Sequence, residues 1–135
     1  YTKRPQLKFT IKTTINTAAK NIYDAWLSND GHTKMTGGEA TASKVIGDEF
    51  TAWDGYITGR NLALEENKRI VQSWRSSEFD EADEDSQIEV ILTENNGITE
   101  LKLHHTNLPE GEDHYKSGWD EHYFQPMKAF FEKRN

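Results

Sequence analysis

The residues of this chain most able to do chemistry are its 5 histidines and its surplus of carboxylates. His32, His104, His105, His114 and His122 do not fall at a metal-ligand spacing. There is no cysteine, which excludes disulfides, thiolate metal sites and thiol nucleophiles. A phosphate-cradling glycine loop and a nucleophile elbow are also missing. No catalytic residue, metal or cofactor is assigned on these grounds.

His105 stands apart because a hairpin fixes where it points. Asn96-Gly97 is the dipeptide of a two-residue type I′ turn, between strands expected over Gln87–Asn95 and Ile98–Thr106. That turn pairs Asn95 with Ile98, Leu92 with Leu101, Val90 with Leu103 and Ile88 with His105. The apolar face must turn inward, and His105 goes with it, while His104 faces solvent. An inward histidine is either satisfied by a backbone carbonyl or hydroxyl, or is a ligand contact or acid–base group.

Aromatic residues are the other notable set. Trp53 and Tyr56 flank Asp54-Gly55, and Trp74 ends a later strand. Trp119, Tyr123 and Met127 recur every fourth residue, extended by Phe130 and Phe131. Such side chains bury large areas and leave one polar tip to satisfy. They build either a packed core or the wall of an apolar pocket, and the two look alike in a sequence. Asp54-Gly55 reads as a turn, so Asp54 is no catalytic acid.

The elements that position these residues follow in order. Leu7 to Ile15 alternates with period two, with Leu7, Phe9, Ile11 and Ile15 inward. Thr17 is the expected N-cap of a helix over about 18 to 28. Ser28-Asn29-Asp30-Gly31 breaks or re-caps the chain, a short helix carries His32 to Met35, and Thr36-Gly37-Gly38 ends it. Strands follow from Glu39 to Thr106. Ile57–Leu64 and Ile70–Ser76 are joined by a three- or four-residue loop that leaves their faces open. Glu78 to Asp85 reads as a solvated, mobile acidic loop anchored only by Phe79, without the ordered spacing of a calcium loop. Arg75 is expected in a surface ion pair. Leu108-Pro109-Glu110-Gly111 is a loop, and Asp113 caps a final helix reaching about Lys133, bent at Pro126. The outcome is one α+β domain over its 135 residues, a long helix lying on a curved antiparallel sheet.

A net charge of −7 disfavours general nucleic-acid binding and docking to anionic membranes. No apolar run approaches a membrane span and no signal-peptide pattern opens the chain, which begins at Tyr1 without Met. A cytoplasmic protein is expected, as a monomer or weak dimer.

Four stretches together resemble the family of the activator of heat-shock protein 90 ATPase, in its C-terminal domain. They are Phe50-Thr51-Ala52-Trp53-Asp54-Gly55-Tyr56-Ile57-Thr58-Gly59, Asn67-Lys68-Arg69-Ile70-Val71-Gln72-Ser73-Trp74-Arg75, Gly118-Trp119 and Tyr123-Phe124-Gln125-Pro126-Met127-Lys128. The resemblance covers about Phe9 to Phe131. It implies the helix-grip fold of the START-like (SRPBCC, Bet v 1-like) superfamily, with two short helices after the first strand. Relatives in that superfamily often hold a hydrophobic ligand between sheet and helix. The larger co-chaperones carry a separate N-terminal domain that is not expected here, and this length resembles the small bacterial members.

Three functions follow as expectations. In the first, a non-enzymatic domain binds a small apolar ligand in an enclosed void of roughly 300 Å3 or more. Trp26, Met35, Trp53, Trp74, His105, Trp119, Tyr123 and Met127 would line it. In the second, the domain contacts a chaperone and stimulates its ATPase. In the third, it is a small enzyme with His105 as the acid–base group.

Overall fold

The computed structural model describes residues 6–111 and 114–132. Strand β1 (Gln6–Ile15) leads into helices α1 (Ala19–Trp26) and α2 (Asn29–Thr36). Strands β2 (Glu49–Ala52), β3 (Ile57–Glu65), β4 (Arg69–Ser76), β5 (Ser86–Asn95) and β6 (Ile98–Pro109) follow. The C-terminal helix runs as α3 (Tyr115–Trp119), a π-helical turn (Asp120–Phe124) and α4 (Gln125–Glu132). The strands form one antiparallel six-stranded sheet in the order β1-β6-β5-β4-β3-β2, curved around that helix.

The β5–β6 register is the one the turn dictates. Asn95 pairs with Ile98, Val90 with Leu103 and Ile88 with His105. Asn96 and Gly97 both take the positive φ that a type I′ turn needs, 57° and 78°. Ile88, Val90, Leu92, Leu101 and Leu103 are buried in the same core cluster as Met127 and Phe131 of α4. Each such aliphatic burial stabilises by roughly 1.5–3 kcal/mol. The β3–β4 loop has three residues, since Glu65 pairs with Arg69, and Asn67 adopts φ 60°. This turns Ile70, Gln72, Trp74 and Ser76 inward. Two polar side chains thus enter the interior, and both are bonded there. Gln72 accepts from Trp26 Nε1 at 3.1 Å and donates to Asn61 Oδ1 at 2.9 Å.

Four expectations need correction. Thr17 does not cap α1. The N-cap is Ala18, and Glu94 on β5 accepts the Ala19 amide at 2.8 Å, while Thr17 accepts from the Asn21 side chain. A carboxylate at a helix N-terminus satisfies an orphan amide and opposes the macrodipole. Leu108 and Pro109 belong to β6, which passes Asn107 in the left-handed region at φ 58°. The stretch from Glu78 to Asp85 is not simply solvated. Asp83 is buried and accepts the Asp80 amide, and Arg75 donates to the carbonyls of Asp80 and Asp83 and pairs with Asp85 at 3.2 Å. The disturbance at Pro126 takes the form of the preceding π-turn, in which the Gln125 amide reaches back to Asp120. A widened turn removes the clash between a proline ring and the carbonyl before it. Asp113 and Lys133 lie outside the described residues. The remaining cap holds as read, with Ser28 accepting the Gly31 amide and Gly37 closing α2 at φ 88°.

Candidate functional site

A half-open cleft of about 290 Å3 lies where the β2–β3 hairpin meets the C-terminal helix. The hairpin contributes Trp53, Tyr56 and Ile57, and β4 contributes Trp74. The helix contributes Tyr115, Trp119, His122 and Tyr123, with Gly118 adding no side chain to the space. Rings meet as corners rather than as one stack. Trp74 stands at 79° to Tyr115 with centroids 5.0 Å apart, and Trp53 at 78° to Tyr123 at 6.3 Å. The cleft opens to solvent and is not the enclosed void expected from the sequence.

The lip of the cleft is strained. Trp53, Asp54 and Gly55 all lie in the left-handed region, at φ 53°, 57° and 89°. Bonds from the Gly55 amide to Ala52 and from the Tyr56 amide to Trp53 make one tight left-handed turn. A left-handed non-glycine residue costs about 1–2 kcal/mol, so neighbours must hold Trp53 there. They do: Asp54 N–H donates to the Glu39 carbonyl at 3.0 Å, and the indole lies on Gly38. A Cβ built on Gly38 would stand 2.2 Å from that ring.

Behind the wall lie two buried histidines, each with both nitrogens bonded. Trp119 Nε1 donates to His105 Nδ1 at 3.1 Å. In the neutral ring Nε2 then carries the proton and donates to Ser86 Oγ at 2.8 Å. The Ser86 hydroxyl in turn donates to the Trp74 carbonyl at 2.6 Å. Burial pushes the His105 imidazole down to about 3. His32 is arranged likewise. Its Nδ1 lies 2.9 Å from the Trp26 carbonyl and donates to it, so Nε2 accepts the Tyr123 hydroxyl at 2.7 Å. Burial lowers His32 also, against a smaller opposing effect of that carbonyl, and burial raises the Tyr123 phenol.

At one end of the cleft two phenols meet. Tyr115 is hydrogen-bonded to Ser76 Oγ at 2.6 Å and to the Tyr56 hydroxyl at 2.9 Å, and Tyr56 donates onward to the Glu78 carboxylate. Burial raises the Tyr115 phenol well above the ordinary tyrosine range. No cluster of metal-ligating side chains occurs among the described residues.

Of the residues expected to line a cavity, Trp53, Trp74, Trp119 and Tyr123 are on the wall. Trp26, Met35, His105 and Met127 are not. They are buried in the packed centre behind it, where Trp26 stacks on Trp119 at 6.3 Å. His105 reaches the cleft only through Trp119 and Trp74. Tyr56, Tyr115 and His122 were missed as wall residues. Tyr115 carries a readable signal, because it precedes Trp119 by the same four-residue step that links Trp119 to Tyr123.

A curved antiparallel sheet closed by a C-terminal helix, with two short helices after the first strand, is the helix-grip, START-like class of fold. Within that class the chain belongs to the family described as Activator of Hsp90 ATPase homolog 1-like protein, which matches residues 16–132. It is 28% identical over 130 residues to the human activator of 90 kDa heat shock protein ATPase homolog 1. That match takes in 96% of this chain but 38% of the human protein. Among solved structures, an HSP90 activator from Plasmodium falciparum superposes with a TM-score of 0.82 at 23% identity, covering 90% of this chain and 94% of the other. An Aha1 dimer from Colwellia psychrerythraea gives 0.77 at 18% identity, covering 93% and 96%. At these identities the structures speak to the fold alone.

Proposed function

We propose that this domain is a non-enzymatic binding module that takes a small apolar ligand in the aromatic cleft. The observation that carries this reading is the wall itself: tryptophan and tyrosine rings around about 290 Å3, at the lower end of the range for small-molecule sites. The strained Trp53 supports it, because backbone strain is retained where a side chain must be held in place. The test is titration with a neutral apolar fluorophore, N-phenyl-1-naphthylamine. Saturable binding is expected in the wild type, weakened at least tenfold by Trp53→Ala. Lack of saturable binding rejects the reading.

A second reading is favoured by the relatives. The domain would contact a heat-shock protein 90 chaperone in the cytoplasm and raise its ATPase rate. Support comes from the family match over residues 16–132 and from the activator names of the human and Plasmodium proteins. Steady-state ATPase of a heat-shock protein 90 from the same organism, titrated with the domain, tests it. A flat titration rejects it.

A further inference from the structure

The cleft offers mostly ring surface, and four of its polar tips are already engaged. The Trp119 N–H is committed to His105 and the Tyr123 hydroxyl to His32. The Tyr56 and Tyr115 hydroxyls are committed to each other, to Ser76 and to Glu78. Trp53, Trp74 and His122 also line the cleft, and their ring nitrogens are the hydrogen-bonding groups left to a ligand there. Two kinds of group need none: a hydrocarbon, and an ammonium whose hydrogens are replaced by methyl groups.

Charge separates the two. Aromatic faces carry negative potential and attract a cation placed over them, most strongly tryptophan. The rings of the wall stand steeply to one another, Trp74 at 79° to Tyr115 and Trp53 at 78° to Tyr123, rather than forming one stack. Neither lysine nor arginine lines the cleft. Glu78 stands at its tyrosine end, held by Tyr56, and no lysine or arginine among the described residues pairs with it. Phe79 follows it and packs 6.1 Å from Trp74, which ties the start of the acidic stretch to the wall.

We infer that the cleft is a cation–π box for the N-methylated ammonium head of a small molecule, with Glu78 as the neighbouring counter-charge. This rests on the proposed ligand-binding reading and names the chemical class of the ligand. It accounts together for the aromatic wall, the absence of lysine and arginine from it and the carboxylate at one end.

The test compares choline with 3,3-dimethylbutan-1-ol, its neutral isostere, by tryptophan fluorescence and by chemical-shift titration of the indole N–H signals. Choline is expected to bind at least tenfold more tightly. Glu78→Gln weakens choline threefold or more and leaves the isostere unchanged. Trp53→Leu keeps apolar bulk but removes a ring face, so it lowers the choline-to-isostere ratio, and Trp53→Phe restores part of it. That ratio does not move if Trp53 is only structural. Equal or reversed affinities, or no binding of either compound while the neutral fluorophore binds, overturn the cation inference and leave the apolar-ligand reading standing. Failure of all three probes overturns both.

Discussion

Acid should destabilise this domain through His105, by an amount the structure sets. The unfolded imidazole titrates near 6.5, whereas in the folded protein burial holds it down to about 3. The unfolded state therefore binds a proton that the folded state refuses. Stability is fully present above the unfolded value and is lost as pH falls from about 6.5 towards 3. Each unit within that window costs about 1.4 kcal/mol, so moving from pH 7 to pH 4.5 should remove about 2–3 kcal/mol through this one ring. His32 is lowered by burial too and adds to the loss with the same sign. Urea unfolding at the two pH values, for the wild type and His105→Gln, isolates the contribution. A glutamine can accept from Trp119 and donate to Ser86 without titrating. It is expected to be less stable at pH 7 and to lose about 2–3 kcal/mol less on acidification. Parallel pH dependences of the two proteins, or a His105 ring that titrates near its ordinary value by NMR, would refute the reasoning.

Other perturbations follow from the same contacts. Gly38→Ala drives a methyl group into the Trp53 ring and should cost about 1–3 kcal/mol while shifting Trp53 emission; an unchanged spectrum and melting curve would count against the packed lip. Glu94→Gln or Glu94→Ala should lower stability by about 0.5–2 kcal/mol by loosening the first turn of α1, read by urea unfolding and by amide exchange at Ala19. Arg75→Gln removes the donor that spans Asp80, Asp83 and Asp85, so limited proteolysis should cut within 78–85 faster than in the wild type.

The sequence was most readable where local chemistry alone decides. Asn96-Gly97 sets the β5–β6 register, and the register then places His105 inside, with no long-range information required. The same logic failed at α1, because its cap comes from Glu94, 75 residues away. At the hairpin tip Asp54-Gly55 correctly marks a turn, but the loop begins at Trp53, a residue whose type gives no hint of a left-handed backbone. Its seat on Gly38 and the Asp54 bond to the Glu39 carbonyl, both remote from the turn in sequence, help to hold it there. The cleft was half legible for a different reason. Trp26 and Trp53 obey the same burial rules as residue types, and only packing separates the interior ring from the one on the wall. For His105 the sequence allows either a satisfied interior group or a functional one. The geometry gives it the first role, since both nitrogens are engaged by Trp119 and Ser86.

The π-turn of the C-terminal helix has a consequence beyond making room for Pro126. Trp119, Tyr123, Met127 and Phe131 are buried at steps of four residues. In a regular α-helix each residue advances about 100°, so three such steps drift about 120° and would swing one end of the row off its face. A turn closed by i→i+5 bonds advances less per residue and takes back part of that drift. The row therefore stays aligned along the helix, with its first half on the cleft and its second half in the core. The irregular turn works as a phase corrector between the two faces of packing that one helix serves. Shortening it by a single residue would misalign the cleft wall and the core with each other, even if every side chain in both were kept.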